Sequence, residues 1–131
     1  RYQRNRIRHR IIPELKAINP IVSDAIVRLG ASVREDISLI SNLTDMAFDE
    51  LVTISDEGAF ISRRGLRKKP LAIQRRLWQR LVSIFDPEIK LTTAHQEQLL
   101  DIVNTGEGKT FNIKSIKVSA QCDTIKVYCK H

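Results

Sequence analysis

The most concentrated chemistry in the chain lies in six residues near its start. Arg4, Arg6 and Arg8 supply guanidinium forks, Asn5 an amide and His9 an imidazole. Guanidinium forks match phosphate oxygens two at a time and can stack on exposed bases. An amide can read a base edge, and an imidazole can carry charge or pass a proton near neutral pH. Such a cluster suits stabilisation of charge developing on a phosphate. The same residues also describe a plain basic helix end, and taken alone they leave both readings open.

A second cationic set follows in the middle of the chain: Arg63, Arg64, Arg67, Lys68, Lys69, Arg75, Arg76 and Arg80. No acid interrupts residues 63–80, and none interrupts residues 1–10, which hold five arginines. Between these blocks, residues 11–62 carry nine acidic against three basic residues. Residues 81–131 balance at six of each. The net charge of +7 is thus concentrated in two short acid-free blocks. Segregation of this kind is the footprint of a polyanion binder.

The elements that must position these residues can be read from apolar spacing. Residues 3–18 predict a helix, with Ile7, Ile11, Ile12, Leu15 and Ile18 as a stripe packing inward and a kink or short break at Pro13. Asn19-Pro20 is a helix start, and a long helix follows to about Leu51 or Ile54. Its apolar face runs from Val22 to Leu51. Asp24, Glu35, Asp36, Asp45, Asp49 and Glu50 form a solvated acidic face. Asp56-Glu57-Gly58 breaks the helix. Ala59–Ser62 reads as a short strand or extended link, and Gly65–Lys69 as a basic loop. A third helix covers Leu71–Phe85, with Arg75, Arg76 and Arg80 off its apolar face. A fourth starts at Thr92 or Thr93, with Gln96 or Glu97 as reciprocal cap. The period then drops to two over Phe111–Ile113, Ile116–Ala120 and Ile125–Val127, with a hairpin turn at Gln121–Thr124. The expected fold is mainly α, with a long central helix and a small C-terminal antiparallel β-meander, an α+β arrangement.

Several chemistries find no support. The one Gly-x-Gly, Gly106-Glu107-Gly108, lacks the strand and spacing of a nucleotide loop. His9, His95 and His131 are far apart and have no ligand partner at helical spacing, so no metal set is expected. His95 reads as a capping or packing residue. Cys122 and Cys129 read as free thiols of a reducing compartment. No apolar run reaches the ~18 residues of a membrane span, and no signal peptide is visible. No short helix pair suggests a DNA-reading helix-turn-helix.

Three runs carry a family resemblance. Arg4-Asn5-Arg6-Ile7-Arg8-His9, with Ile11-Ile12-Pro13 and Ile18-Asn19-Pro20, closely resembles the junction that follows the ATP-pyrophosphatase domain in tRNA(Ile)-lysidine synthetases. Pro70-Leu71-Ala72-Ile73-Gln74-Arg75-Arg76-Leu77 looks like that family's second signature. His95 with Leu99, then Gly106, Gly108 and Lys109, fits a third, weaker stretch.

The resemblance implies a reaction. The family activates C2 of the wobble cytidine in a CAU anticodon with ATP, and lysine then displaces AMP, so that the tRNA reads AUA as isoleucine. It implies residues 1–18 as a basic junction helix after an ATP-pyrophosphatase domain missing from this chain. Residues 19–131 would form a helical tRNA-binding domain ending in strands. Arg4, Asn5, Arg6, Arg8 and His9 would line the tRNA side of the active-site cleft in a supporting role, and the block from Arg63 to Arg80 would hold the tRNA backbone. The implied partners are the CAU isoleucine tRNA, lysine and ATP with Mg2+, the last two handled by the parent enzyme. No cofactor is expected in this chain. A homodimer is left open, and the setting would be the cytoplasm, or the plastid stroma for an organelle-encoded enzyme.

Two departures stand out. The family's Ser-Gly-Gly-x-Asp-Ser ATP loop is absent, so this chain is expected to be inactive by itself. Lys114-Ser115-Ile116 stands where a Gly-Gly is common, which leaves the register of the last strands open. A stand-alone RNA-binding helical module, or a protein-interaction domain working through the acidic helix, would share these features.

Overall fold

The computed structural model describes residues 2–130; Arg1 of the first basic block and His131 lie outside them. The chain divides into two compact units, Arg1–Leu39 and Ile40–His131.

The first unit begins with α1 (Tyr2–Arg6), passes through a π-helical stretch over Ile7–Ile11, and continues as α2 (Ile12–Ile18). The break expected at Pro13 is therefore a widening instead. Pro13 has no N–H to give the carbonyl of His9, four residues back. The turns before it loosen, and the Ile12 N–H reaches the carbonyl of Ile7. Asn19 closes α2, and its Oδ1 accepts from the Ile21 N–H at 3.2 Å. The long helix α3 (Val22–Leu51) starts after that turn, 30 residues long and uninterrupted at Gly30.

One expectation fails here. The stripe of the first helix does not pack inward: Ile7, Ile11, Leu15 and Ile18 are all exposed, Ile18 by 83%. No residue of α3 before Thr44 is buried either. The spacing is right for an apolar face, but a face is buried only where another element lies along it. Within this unit the helices follow one another through the Asn19 turn, and none of its described residues is buried.

The second unit holds the core. The last turns of α3 bury Thr44, Ala47 and Leu51. The chain then forms β1 (Val52–Ser55) and β2 (Gly58–Ser62), a hairpin across Asp56-Glu57. Of the two expected helix ends, Leu51 is the observed one, and strand β1 beyond it was not expected. The β-branched run Val52-Thr53-Ile54 was its signal. The region read as a basic loop is partly helical, α4 (Arg63–Arg67), because the Ser62 hydroxyl accepts from the Gly65 N–H at 3.2 Å.

Helix α5 (Leu71–Phe85) matches its expected bounds. It buries Ile73, Leu77, Trp78, Leu81 and Val82, each worth about 1.5–3 kcal/mol of apolar transfer. Helix α6 (Thr93–Thr105) is capped by Thr92, but its reciprocal partner is His95, not Gln96 or Glu97. The His95 Nδ1 accepts from the Thr92 N–H, and the Thr92 hydroxyl accepts from the His95 N–H, both at 3.2 Å.

Strands β3 (Thr110–Ile113), β4 (Ile116–Gln121) and β5 (Thr124–Cys129) follow where the alternation placed them. They are more than a small meander. β5 pairs with β2, giving one five-stranded antiparallel sheet in the order β1-β2-β5-β4-β3. Ala59, Ile61, Ile113, Val118, Ile125 and Val127 turn one face of the sheet into the core. The register left open by Lys114-Ser115 is fixed by Ile113 opposite Ile116, with Lys114 in a left-handed conformation at φ 50. Cys122 and Cys129 are both free thiols, one in the hairpin turn and the other opposite Ile116.

Candidate RNA-binding surface

The first cluster rides on α1 and the π-helical stretch. Arg4, Asn5, Arg6, Arg8 and His9 are all exposed. Among the described residues none of them forms an ion pair or a side-chain hydrogen bond. Single π-type turns inside helices often accompany functional sites, because they shift which side chains share a face.

The second block sits in the other unit, and the structure sorts its members into different jobs. Arg63, Arg64 and Arg67 gather around a recess completed by Glu107, Cys122 and Asp123. Its shape comes from a contact across 59 residues: Asp123 Oδ1 accepts from the Arg64 N–H at 2.9 Å, and its carbonyl accepts from the Arg63 N–H at 2.7 Å. The hairpin turn thus holds the start of α4 in place. The Arg63 Nη1 is buried beside it without a hydrogen-bond partner among the described residues.

Three members are engaged by the fold. Arg67 Nη2 donates to the carbonyl oxygens of Val103 at 3.0 Å and Asn104 at 3.1 Å, satisfying the end of α6. Lys69 pairs with Glu50 at 2.8 Å. Arg80 pairs with Asp45. The acidic face of α3 is therefore not wholly solvated, since two of its carboxylates neutralise members of the basic block. Arg64, Lys68, Arg75 and Arg76 remain exposed and outside any ion pair among the described residues.

Arg75 also borders a groove between α5 and α6, with Leu71, Gln74, Trp78, Thr92 and Gln96 on its walls. Inside that wall the Gln74 Oε1 and Trp78 Nε1 are buried without hydrogen-bond partners among the described residues. Sequence spacing gave no sign of the pairings with Asp45, Glu50 or Asp123. Each depends on residues brought together only by the tertiary fold.

Exposed guanidiniums outside ion pairs are suited to holding phosphate oxygens. Among the described residues no three His, Cys, Asp or Glu side chains come together to hold a metal ion. No helix among the described residues is long and apolar enough to cross a membrane.

Comparison with known proteins gives one consistent class, enzymes named for a tRNA. They are tRNA(Ile)-lysidine synthases. The protein from Geobacter sulfurreducens is 31% identical over 84 residues, covering 63% of this chain and 18% of that relative. The protein from Streptococcus gordonii is 30% identical over 105 residues, 79% of this chain and 22% of the relative. That from Dehalococcoides mccartyi is 25% identical over 111 residues, 84% of this chain and 24% of the relative. The chain is thus a relative of the C-terminal part of tRNA(Ile)-lysidine synthases. It spans between 18% and 26% of the length of the curated relatives it matches. No family model matches it.

Proposed function

We propose that this chain is the tRNA-facing portion of a tRNA(Ile)-lysidine synthase. The observation that carries the reading is its similarity to several enzymes of that name, over most of its own length. The two acid-free cationic blocks support it, because tRNA offers a dense run of phosphates. The parent enzyme would use ATP to activate C2 of the wobble cytidine of the CAU isoleucine tRNA and would join lysine there. Its ATP and Mg2+ would bind outside this chain, which has neither the phosphate loop nor a metal-ligand set among the described residues.

In this reading the two blocks divide the labour. Arg64, Lys68, Arg75 and Arg76 hold the tRNA backbone. Arg4, Arg6 and Arg8 meet the phosphate charge that develops beside the reacting cytidine, with Asn5 and His9 orienting the nucleotide. Arg67, Lys69 and Arg80, counted with the backbone-holding block from sequence, contribute mainly to stability. The chain by itself binds RNA without catalysing adenylation.

The test uses a full-length parent enzyme carrying this segment. Replacing Arg4, Arg6 and Arg8 by Ala should abolish lysidine formation while tRNA affinity falls only in part. Unchanged lysidine formation by the triple variant would remove the cluster from the active site.

A further inference from the structure

We infer a second nucleic-acid surface on the open face of the five-stranded sheet, one that stacks unpaired bases rather than holding duplex phosphates. The inference rests on RNA being the partner and adds where its single-stranded part would lie.

The sheet has a core face and a second face whose described side chains are half-buried or exposed. Along β2 and β5 the alternation is regular: Ala59, Ile61, Ile125 and Val127 are buried, while Phe60, Lys126 and Tyr128 are only half-buried. Phe60 is also absent from the hydrophobics packed against the core. Register puts Phe60 opposite Lys126, and Lys117 of β4 opposite Tyr128. Two aromatic rings and two lysines therefore interleave across three adjacent strands. Ser119, Thr110 and Asn112 extend the same face across β4 and β3.

The strands themselves carry charge of one sign. None of the five strands contains an acidic residue. The Lys126 ammonium stands 5.4 Å from the Phe60 ring centre and 5.2 Å from that of Tyr128. Its only carboxylate neighbour among the described residues is Glu57, at 3.7 Å in the β1–β2 turn and itself 77% exposed. This is a weakly held cation over two π faces. Every base has a π face too, and base–aromatic stacking outweighs an exposed ammonium–ring contact. A base arriving on either ring would displace the ammonium outward, where a phosphate oxygen can take it. Sheets that present aromatics among cations are a recurrent way of holding single-stranded RNA, because unstacked bases can be splayed onto them.

Close approach of the backbone supports the platform. Gly58 stands beside Tyr128, and a Cβ there would lie 3.0 Å from the Tyr128 Cβ and 2.4 Å from the Val127 carbonyl. Without a side chain, the buried Gly58 lets β2 pack closely against Tyr128.

The experiment is a fluorescence-anisotropy titration of the 131-residue chain. The probes are an unstructured ten-nucleotide RNA, a duplex RNA of the same length and the CAU isoleucine tRNA. Phe60→Ala and Tyr128→Ala should each weaken single-strand binding about tenfold, as loss of a stacked base does, with little change for the duplex. Tyr128→Phe keeps the π face and should bind as the parent does, which separates stacking from mere folding. Ultraviolet cross-linking should attach the RNA to the peptides holding Phe60 and Tyr128. Equal single-strand affinity in both alanine variants, with tRNA binding intact, would overturn the sheet face and leave the basic-block reading standing. Loss of binding to all three probes in the unaltered chain would overturn both.

Discussion

The Arg80 guanidinium pairs with the Asp45 carboxylate and lies 5.8 Å from the ring centre of Phe48. An arginine that the sequence groups with RNA-facing cations is thus committed to fastening α5 to the last turns of α3. Arg67 is committed in the same way to the end of α6. Membership of a basic block and availability to a ligand are different properties.

This distinction has a measurable consequence. Arg80→Ala should lower stability by about 0.5–1.5 kcal/mol, the sum of a half-exposed ion pair and a ring contact. Arg67→Ala should cost about 1–2 kcal/mol, because two helix-end carbonyls lose a charged donor. Both should show as shifted urea midpoints with tRNA affinity nearly retained. The Arg75→Ala/Arg76→Ala pair should do the reverse. Stability should hold while the slope of log affinity against log salt falls by about two. Equal losses of affinity from all four positions would contradict the division.

Gly58 offers a test of the hairpin that sequence reading missed. Its φ of 130 is a conformation that L side chains rarely adopt, and an added Cβ would meet the Val127 carbonyl at 2.4 Å. Gly58→Ala should therefore destabilise the chain by about 1–3 kcal/mol. Chemical denaturation would check this, and a variant as stable as the parent would mean that β2 and β5 pair differently.

Acid sensitivity has one traceable source at the end of α6. The Lys109 ammonium, and then the Thr105 hydroxyl, hydrogen-bond the Asp101 carboxylate and hold its pKa below the ordinary value of 3.8. A lowered folded-state pKa means stability that is fully present above the ordinary value and is lost as pH falls through the lowered one. Asp101→Asn should therefore reduce stability at neutral pH and flatten the acid limb of the stability curve below about pH 4. Thermal melts at neutral and acid pH would show it. An unchanged acid limb would mean that the Lys109 contact does not persist in solution.

Much of the fold was legible because its signals are local. Asn19-Pro20, Asp86-Pro87 and Thr92 mark helix ends through backbone chemistry that neighbours cannot easily override. The alternation in β4 and β5 placed those strands almost to the residue. What was missed depends on pairing. Strand β1 follows α3 without a break, and its β-branched run becomes a strand through its pairing with β2. Closure of the sheet required β2 to meet β5, more than sixty residues later, and no local pattern encodes that. The candidate site divides in the same way. The two acid-free blocks are plain in the sequence. Which cations Asp45, Glu50 and the α6 carbonyls would engage was not, because those contacts are tertiary.

The most direct measurement is a titration of this chain against the CAU isoleucine tRNA and an unrelated tRNA, at about 50 mM and 200 mM salt. Several phosphate contacts should make affinity fall by roughly a hundredfold or more between these conditions. Tighter binding to the CAU tRNA would add reading of bases or shape to the phosphate contacts. Absence of binding to either tRNA at the lower salt would contradict the claim that the exposed cations of this chain face RNA.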